Sequence, residues 1–144
     1  VDYDAPEIEE RWCEERRRDV ADYLQLQGVR HGAIGEWPAW HVVPYVSIWA
    51  IESVSNPGWV GYWVICGDLP TDYVSSQTHK HPRDVMRAFA DRWSKVAENM
   101  AKGQPSPDVN IGSPSDWPTL GPMLASRAAT LRRWADDAAM WADL

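Results

Sequence analysis

The chain has 144 residues, a net charge of −7, and 44% hydrophobic against 24% charged residues. That is the composition of one ordinary globular domain, not of a disordered tail, a collagen or a disulfide scaffold. Charging all four His would still leave −3, which argues against nucleic-acid binding, since a duplex binder sets a basic face against the phosphates. The anomaly is 10 Trp against 1 Phe.

No stretch approaches the roughly 18 consecutive apolar residues of a membrane span. The opening Val-Asp-Tyr-Asp has neither a basic nor an apolar region of the kind a signal peptide carries. Cys13 and Cys66 fall on different predicted elements without Cys-x-x-Cys spacing. They read as reduced, buried thiols of a cytoplasmic protein.

The first element is a helix over Pro6–Gly28. Asp4 is the expected N-cap, Pro6 suits the first turn, and Glu7, Glu9 and Glu10 favour the positive end of the helix dipole. Ile8, Trp12, Val20, Tyr23 and Leu24 share a face, and Gly28 is a natural stop. Residues 28–43, broken by Gly32, Gly35 and Pro38, read as a loop pinned by Trp37 and Trp40.

Two strands follow, at about 44–54 and 58–67. The Asn56-Pro57-Gly58 between them has type II turn chemistry, with proline at i+1 and glycine at i+2. On the first strand Tyr45, Trp49 and Ile51 alternate with Val46, Ile48 and Ala50. On the second, Trp59, Trp63 and Ile65 alternate with Val60, Tyr62, Val64 and Cys66. Both faces are apolar, so both must be covered. Gly67–His81 reads as a polar loop, though a third short strand at Tyr73–Ser76 is compatible with the pattern.

A second helix is predicted from Pro82 to Lys102 and stopped by Gly103. Its apolar stripe is Val85 or Met86, Phe89, Trp93, Val96 and Met100, with Arg87–Asp91, Asp91–Lys95 and Glu98–Lys102 as outer pairs. Residues 103–115 read as a loop. A last helix starts at Asp116 or Pro122 and runs to Trp141, with Leu124, Ala128, Leu131, Ala135 and Ala138 as its stripe. The sum is a single α+β domain over 1–144: an N-terminal helix, a small antiparallel sheet, and two C-terminal helices packed on it.

Some of these residues carry a resemblance. Tyr62-Trp63-Val64, Gly67-Asp68-Leu69-Pro70-Thr71-Asp72, Arg83-Asp84, Phe89 and Trp93 resemble an uncharacterised bacterial domain-of-unknown-function family of about this length. Trp12, Tyr23-Leu24, Pro44, Ile48-Trp49, Arg127-Ala128, Leu131 and Trp141 extend the likeness over most of the chain. Tyr73, where His is expected, and His81-Pro82 depart from it. The resemblance implies a small soluble bacterial protein and no particular activity.

Asp68 and Asp72, bracketing Leu-Pro-Thr, form the best candidate site, with Arg83 opening the next helix and His79 or His81 as proton carrier. Two carboxylates with a histidine could do general acid–base work, and a helix N-terminus favours anions. The same residues could equally fasten a turn. His79-Lys80-His81 lacks the context of a recognised metal site, so neither metal nor cofactor is expected. Cys66 reads as a packed thiol, not a nucleophile. Trp37, Trp40, Trp49, Trp59 and Trp63 suggest an aromatic pocket, an interface or plain core; Trp49 and Trp63 are the candidate partner contacts.

The leading expectation is a non-enzymatic protein-binding module, with an immunity or antitoxin-like role as one form. Its acidic surface, Glu7 to Glu15 with exposed Trp, would capture a basic partner. Self-association through the apolar hairpin or the last helix is a variant of that reading. The alternative is an enzyme or small-ligand binder at Asp68, Asp72 and Arg83.

Overall fold

The computed structural model describes residues 2–107 and 112–144. Part of the predicted 103–115 loop, residues 108–111, therefore lies outside the described residues. The fold is α+β: an N-terminal helix, a four-stranded antiparallel sheet, then two helices. The chain divides into two compact units, Val1–Pro82 and Arg83–Leu144.

The first unit opens with α1, Pro6–Leu26. Its N-cap is Ala5, not Asp4, and makes no side-chain cap bond; Pro6 and the acidic first turn define the start instead. Trp12, Cys13, Val20 and Leu24 are its buried residues. Arg16 and Arg17, between Cys13 and Val20, work at the edge of this stripe. Arg16 lies over the Trp12 ring, and Arg17 donates from Nε to the Gly35 carbonyl and from Nη2 to the Ile34 carbonyl, both at 2.9 Å. The helix stops as predicted at Gly28, φ +67°. Gly28 N–H donates to the Gln25 carbonyl and Val29 N–H to the Leu24 carbonyl, the paired bonds of a Schellman ending.

The sheet is a meander: β1 (Trp40–Val42), β2 (Val46–Glu52), β3 (Val60–Gly67) and β4 (Leu69–Ser75), each paired antiparallel to the next. The predicted loop at 28–43 is more ordered than its glycines suggest. Gly32, Gly35 and Ala39 each donate a backbone N–H to β2, and the segment ends as edge strand β1. Of the two tryptophans expected to pin it, Trp40 is buried and Trp37 is 47% exposed. The Asn56-Pro57-Gly58 turn forms as expected, with Gly58 at φ +89° and Trp59 N–H donating to the Asn56 carbonyl.

The predicted polar loop after β3 is corrected. Leu69–Ser75 is a full strand, joined to β3 by a tight reversal at Gly67 and Asp68. Pro70 argues against a strand only where its missing N–H would break a ladder, and β4 is an edge.

Both sheet faces are buried, as the two-sided pattern required. On one, Trp49, Ile51, Val64 and Cys66 form a core with Val20 and Leu24 of α1. On the other, Val46, Ile48, Trp63 and Ile65 are buried.

In the second unit, α2 spans Pro82–Ala101. Its predicted stripe holds throughout: Val85, Met86, Phe89, Trp93, Val96 and Met100 are all buried. Of the outer pairs, Glu98–Lys102 forms at 3.2 Å. Arg87 turns back one turn to Asp84 instead, and Asp91 pairs across to Arg132 of α3. Helix α3 runs Trp117–Asp136, with short 3-10 turns before it at Pro114–Asp116 and after it at Ala138–Trp141. Leu124, Ala128, Leu131 and Ala135 are buried as predicted. Ala138 is exposed, because the helix ends at Asp136 and its period no longer applies. Trp141 is buried and donates its indole N–H to the Trp134 carbonyl.

Candidate functional site

The β3–β4 reversal places the predicted carboxylates. Gly67 sits at φ +144° against the Tyr45 backbone, and Asp68 N–H donates to the Tyr45 carbonyl at 2.8 Å. Asp68 is exposed. Asp72 lies in β4 opposite Ile65 and is only 6% exposed. Its Oδ1 accepts from Tyr73 N–H at 2.8 Å. Because Leu69-Pro70-Thr71 is strand and not turn, the two Cα atoms are roughly 13 Å apart along an extended chain. They therefore do not form a close carboxylate pair sharing a proton.

His79 follows β4. Its Nδ1 lies 3.1 Å from the Ser75 carbonyl oxygen, and its own carbonyl accepts from Trp63 Nε1 at 2.8 Å. Arg83 belongs to the second unit, where its Nε donates to the Ala135 carbonyl at 2.7 Å. That contact satisfies a carbonyl of the last turn of α3, the position where a cation is favoured. Trp49 and Trp63, expected at a binding surface, are core residues. Trp49 is fully buried with its N–H bonded to Ser47 Oγ, and Trp63 is buried with its N–H bonded to the His79 carbonyl.

The two cysteines are free and buried. Burial pushes the Cys66 thiol up to about 11. Burial, followed by the Glu9 charge, does the same to Cys13, also to about 11. A nucleophilic cysteine needs the opposite shift. Among the described residues no three His, Cys, Asp or Glu side chains could hold a metal ion together. No helix of the described residues is long and apolar enough to cross a membrane.

The structure assembles one cluster that the sequence did not announce. The exposed Trp37 ring meets the His41 ring edge-on, with centroids 5.5 Å apart. His41 Nε2 lies 3.4 Å from Glu9 Oε1. A solvent-facing indole is thereby joined, through an edge strand, to the acidic start of α1. Only pairing β1 to β2 reveals this, because nothing local in His41 or Glu9 signals the contact.

Fold and site together define a small α+β protein with an edge-strand aromatic cluster beside an acidic helix, and with its two free thiols buried. Residues 7–141 match the model of a domain of unknown function, DUF4826, and the chain belongs to that family. No curated protein and no solved structure matches it.

Proposed function

We propose that the protein is a non-enzymatic protein-binding module whose docking face joins Trp37 to the acidic first turns of α1. The Trp37–His41–Glu9 contact chain carries this reading. An exposed indole that reaches α1 through His41 and Glu9, with Glu7, Glu10 and Glu14 exposed elsewhere around the same helix start, suits a basic partner: the ring is the anchor and the carboxylates steer the encounter at longer range. The finer form is a bacterial cytoplasmic protein with an immunity or antitoxin-like role, neutralising a basic protein. Two free buried thiols suit such a reducing compartment.

Capture of binding proteins by the wild type and by Trp37→Ala, quantified by mass spectrometry, tests the reading. A basic protein held by the wild type and lost by Trp37→Ala supports it; equal retention by both overturns the placement of the face. Light scattering separates the self-association variant, which requires a dimer: a monomer at high micromolar concentration excludes it.

One observation favours a second reading, a small-ligand site at β4: Asp72 is a carboxylate buried on an edge strand. That reading requires Asp72→Asn to abolish ligand binding while leaving the melting temperature nearly unchanged. A marked fall in melting temperature with no ligand effect makes Asp72 a structural clasp.

A further inference from the structure

Beyond the Glu52 end of β2, a groove of about 540 Å³ opens between the β2–β3 turn and the segment following β4. That volume is within the range of small-molecule sites. Two features set it apart from the rest of the first unit.

The first is charge. In a chain of net charge −7, the groove is lined by two cations, Arg30 and Lys80. Both are exposed, and neither has a carboxylate within ion-pair distance among the described residues. Elsewhere in the first unit Arg16 is paired with Asp19 and Arg17 with the Gly35 and Ile34 carbonyls, while Arg30 and Lys80 share a concave lining. Two positively charged side chains lining one concavity favour an anion.

The second is a ring held on a fixed backbone. Trp59 lines the groove and is 69% exposed, the most exposed tryptophan of the chain. Its main chain is tied at both polar atoms: N–H to the Asn56 carbonyl at 3.1 Å, and carbonyl to Ser53 N–H at 2.8 Å. Glu52 secures the turn beneath it, accepting from Gly58 N–H at 3.0 Å and from Ala33 N–H at 3.1 Å. Both Glu52 oxygens are thus engaged by backbone donors, which holds its carboxyl below the usual carboxylate range. A large indole displayed to solvent on so constrained a turn offers a flat stacking surface. Asn56 and Gln77 add amide donors and acceptors to the lining.

We infer that this groove binds a small ligand combining a flat ring with an anionic group, of the nucleoside monophosphate class. The ring stacks on Trp59, the phosphate lies between Arg30 and Lys80, and the amides meet the sugar hydroxyls. The inference is independent of the Trp37 face.

The test follows the Trp59 indole N–H resonance by nitrogen-15 NMR, assigned by its loss in Trp59→Phe. The probes are adenosine monophosphate, adenosine and inorganic phosphate. The expected result is a saturable shift with adenosine monophosphate at sub-millimolar concentration, with adenosine and phosphate each at least about tenfold weaker. Replacing Arg30 and Lys80 together by alanine should weaken the nucleotide by about tenfold or more at unchanged melting temperature. The inference is overturned if adenosine monophosphate gives no saturable shift up to about 10 mM, if adenosine binds as tightly as its phosphate, or if the double variant binds as the wild type does.

Discussion

The indole N–H of Trp49 donates to the Ser47 hydroxyl at 2.8 Å, and both side chains are fully buried. Ser47 in turn donates to the Cys66 carbonyl at 3.1 Å, with the Cys66 sulfur 3.3 Å away. One hydroxyl thus satisfies the polar atom of one of the two fully buried tryptophans and ties β2 to β3. Ser47→Ala should destabilise the protein by about 1–3 kcal/mol, because a buried N–H is left without an acceptor. Chemical denaturation measures this. A loss under about 0.5 kcal/mol would mean that another acceptor takes the indole.

The two thiols should be silent in the native protein. With pKa values raised to about 11 and both groups buried, neither should react with a disulfide reagent at pH 8 until denaturant is added. Stability should follow the same linkage. A folded pKa above the ordinary value of 9 gives a contribution that is complete below pH 9 and lost as pH rises through about 11. Melting curves between these limits, compared with a double Cys→Ala variant, should diverge in that direction.

Gly67 and Gly103 both have positive φ, but they differ in surroundings. A Cβ at Gly67 would collide with the Tyr45 carbonyl oxygen, whereas one at Gly103 meets nothing. Gly67→Ala should cost about 3 kcal/mol or more from clash and backbone strain together. Gly103→Ala should cost only the strain of the left-handed conformation, about 1–2 kcal/mol. Equal losses would contradict the tight β3–β4 reversal.

Glu52 gives a pH signature. Its carboxyl is held below the ordinary value of 4.5, by the Ala33 N–H first and the Gly58 N–H second. A lowered folded pKa gives a contribution present above the ordinary value and lost as pH falls through the folded one. Glu52→Gln should therefore melt lower than the wild type at neutral pH, with the gap closing as the solution is acidified below pH 4.5. A constant gap would mean that the carboxylate is not what fastens the turn.

Much of this architecture was legible in the residues. The α2 stripe from Val85 to Met100 repeats at helical spacing without interruption, and it is buried throughout. Asn56-Pro57-Gly58 has only one turn it can readily make, and it makes it. Where information had to come from distant pairing, the reading failed. Gly32 and Gly35 look like loop punctuation, but their backbone groups lie against β2. Pro70 and Asp72 look unlike a strand, but β4 is an edge that tolerates both. The same limit applied to the site. Tryptophan count alone did not separate Trp49, buried under α1, from Trp37 and Trp59, which face solvent. The carboxylate motif was visible, while the strand that spreads it was not.

The central claim is that the acidic start of α1, with Trp37 beside it, docks a basic protein. The most direct test is the affinity of the captured partner for a variant with Glu7, Glu10 and Glu14 changed to Lys, at low and high salt. These positions are exposed, so the fold should survive. The account predicts binding weaker by at least about tenfold at low salt, with the wild type's salt dependence abolished. Unchanged affinity and unchanged salt dependence would contradict it.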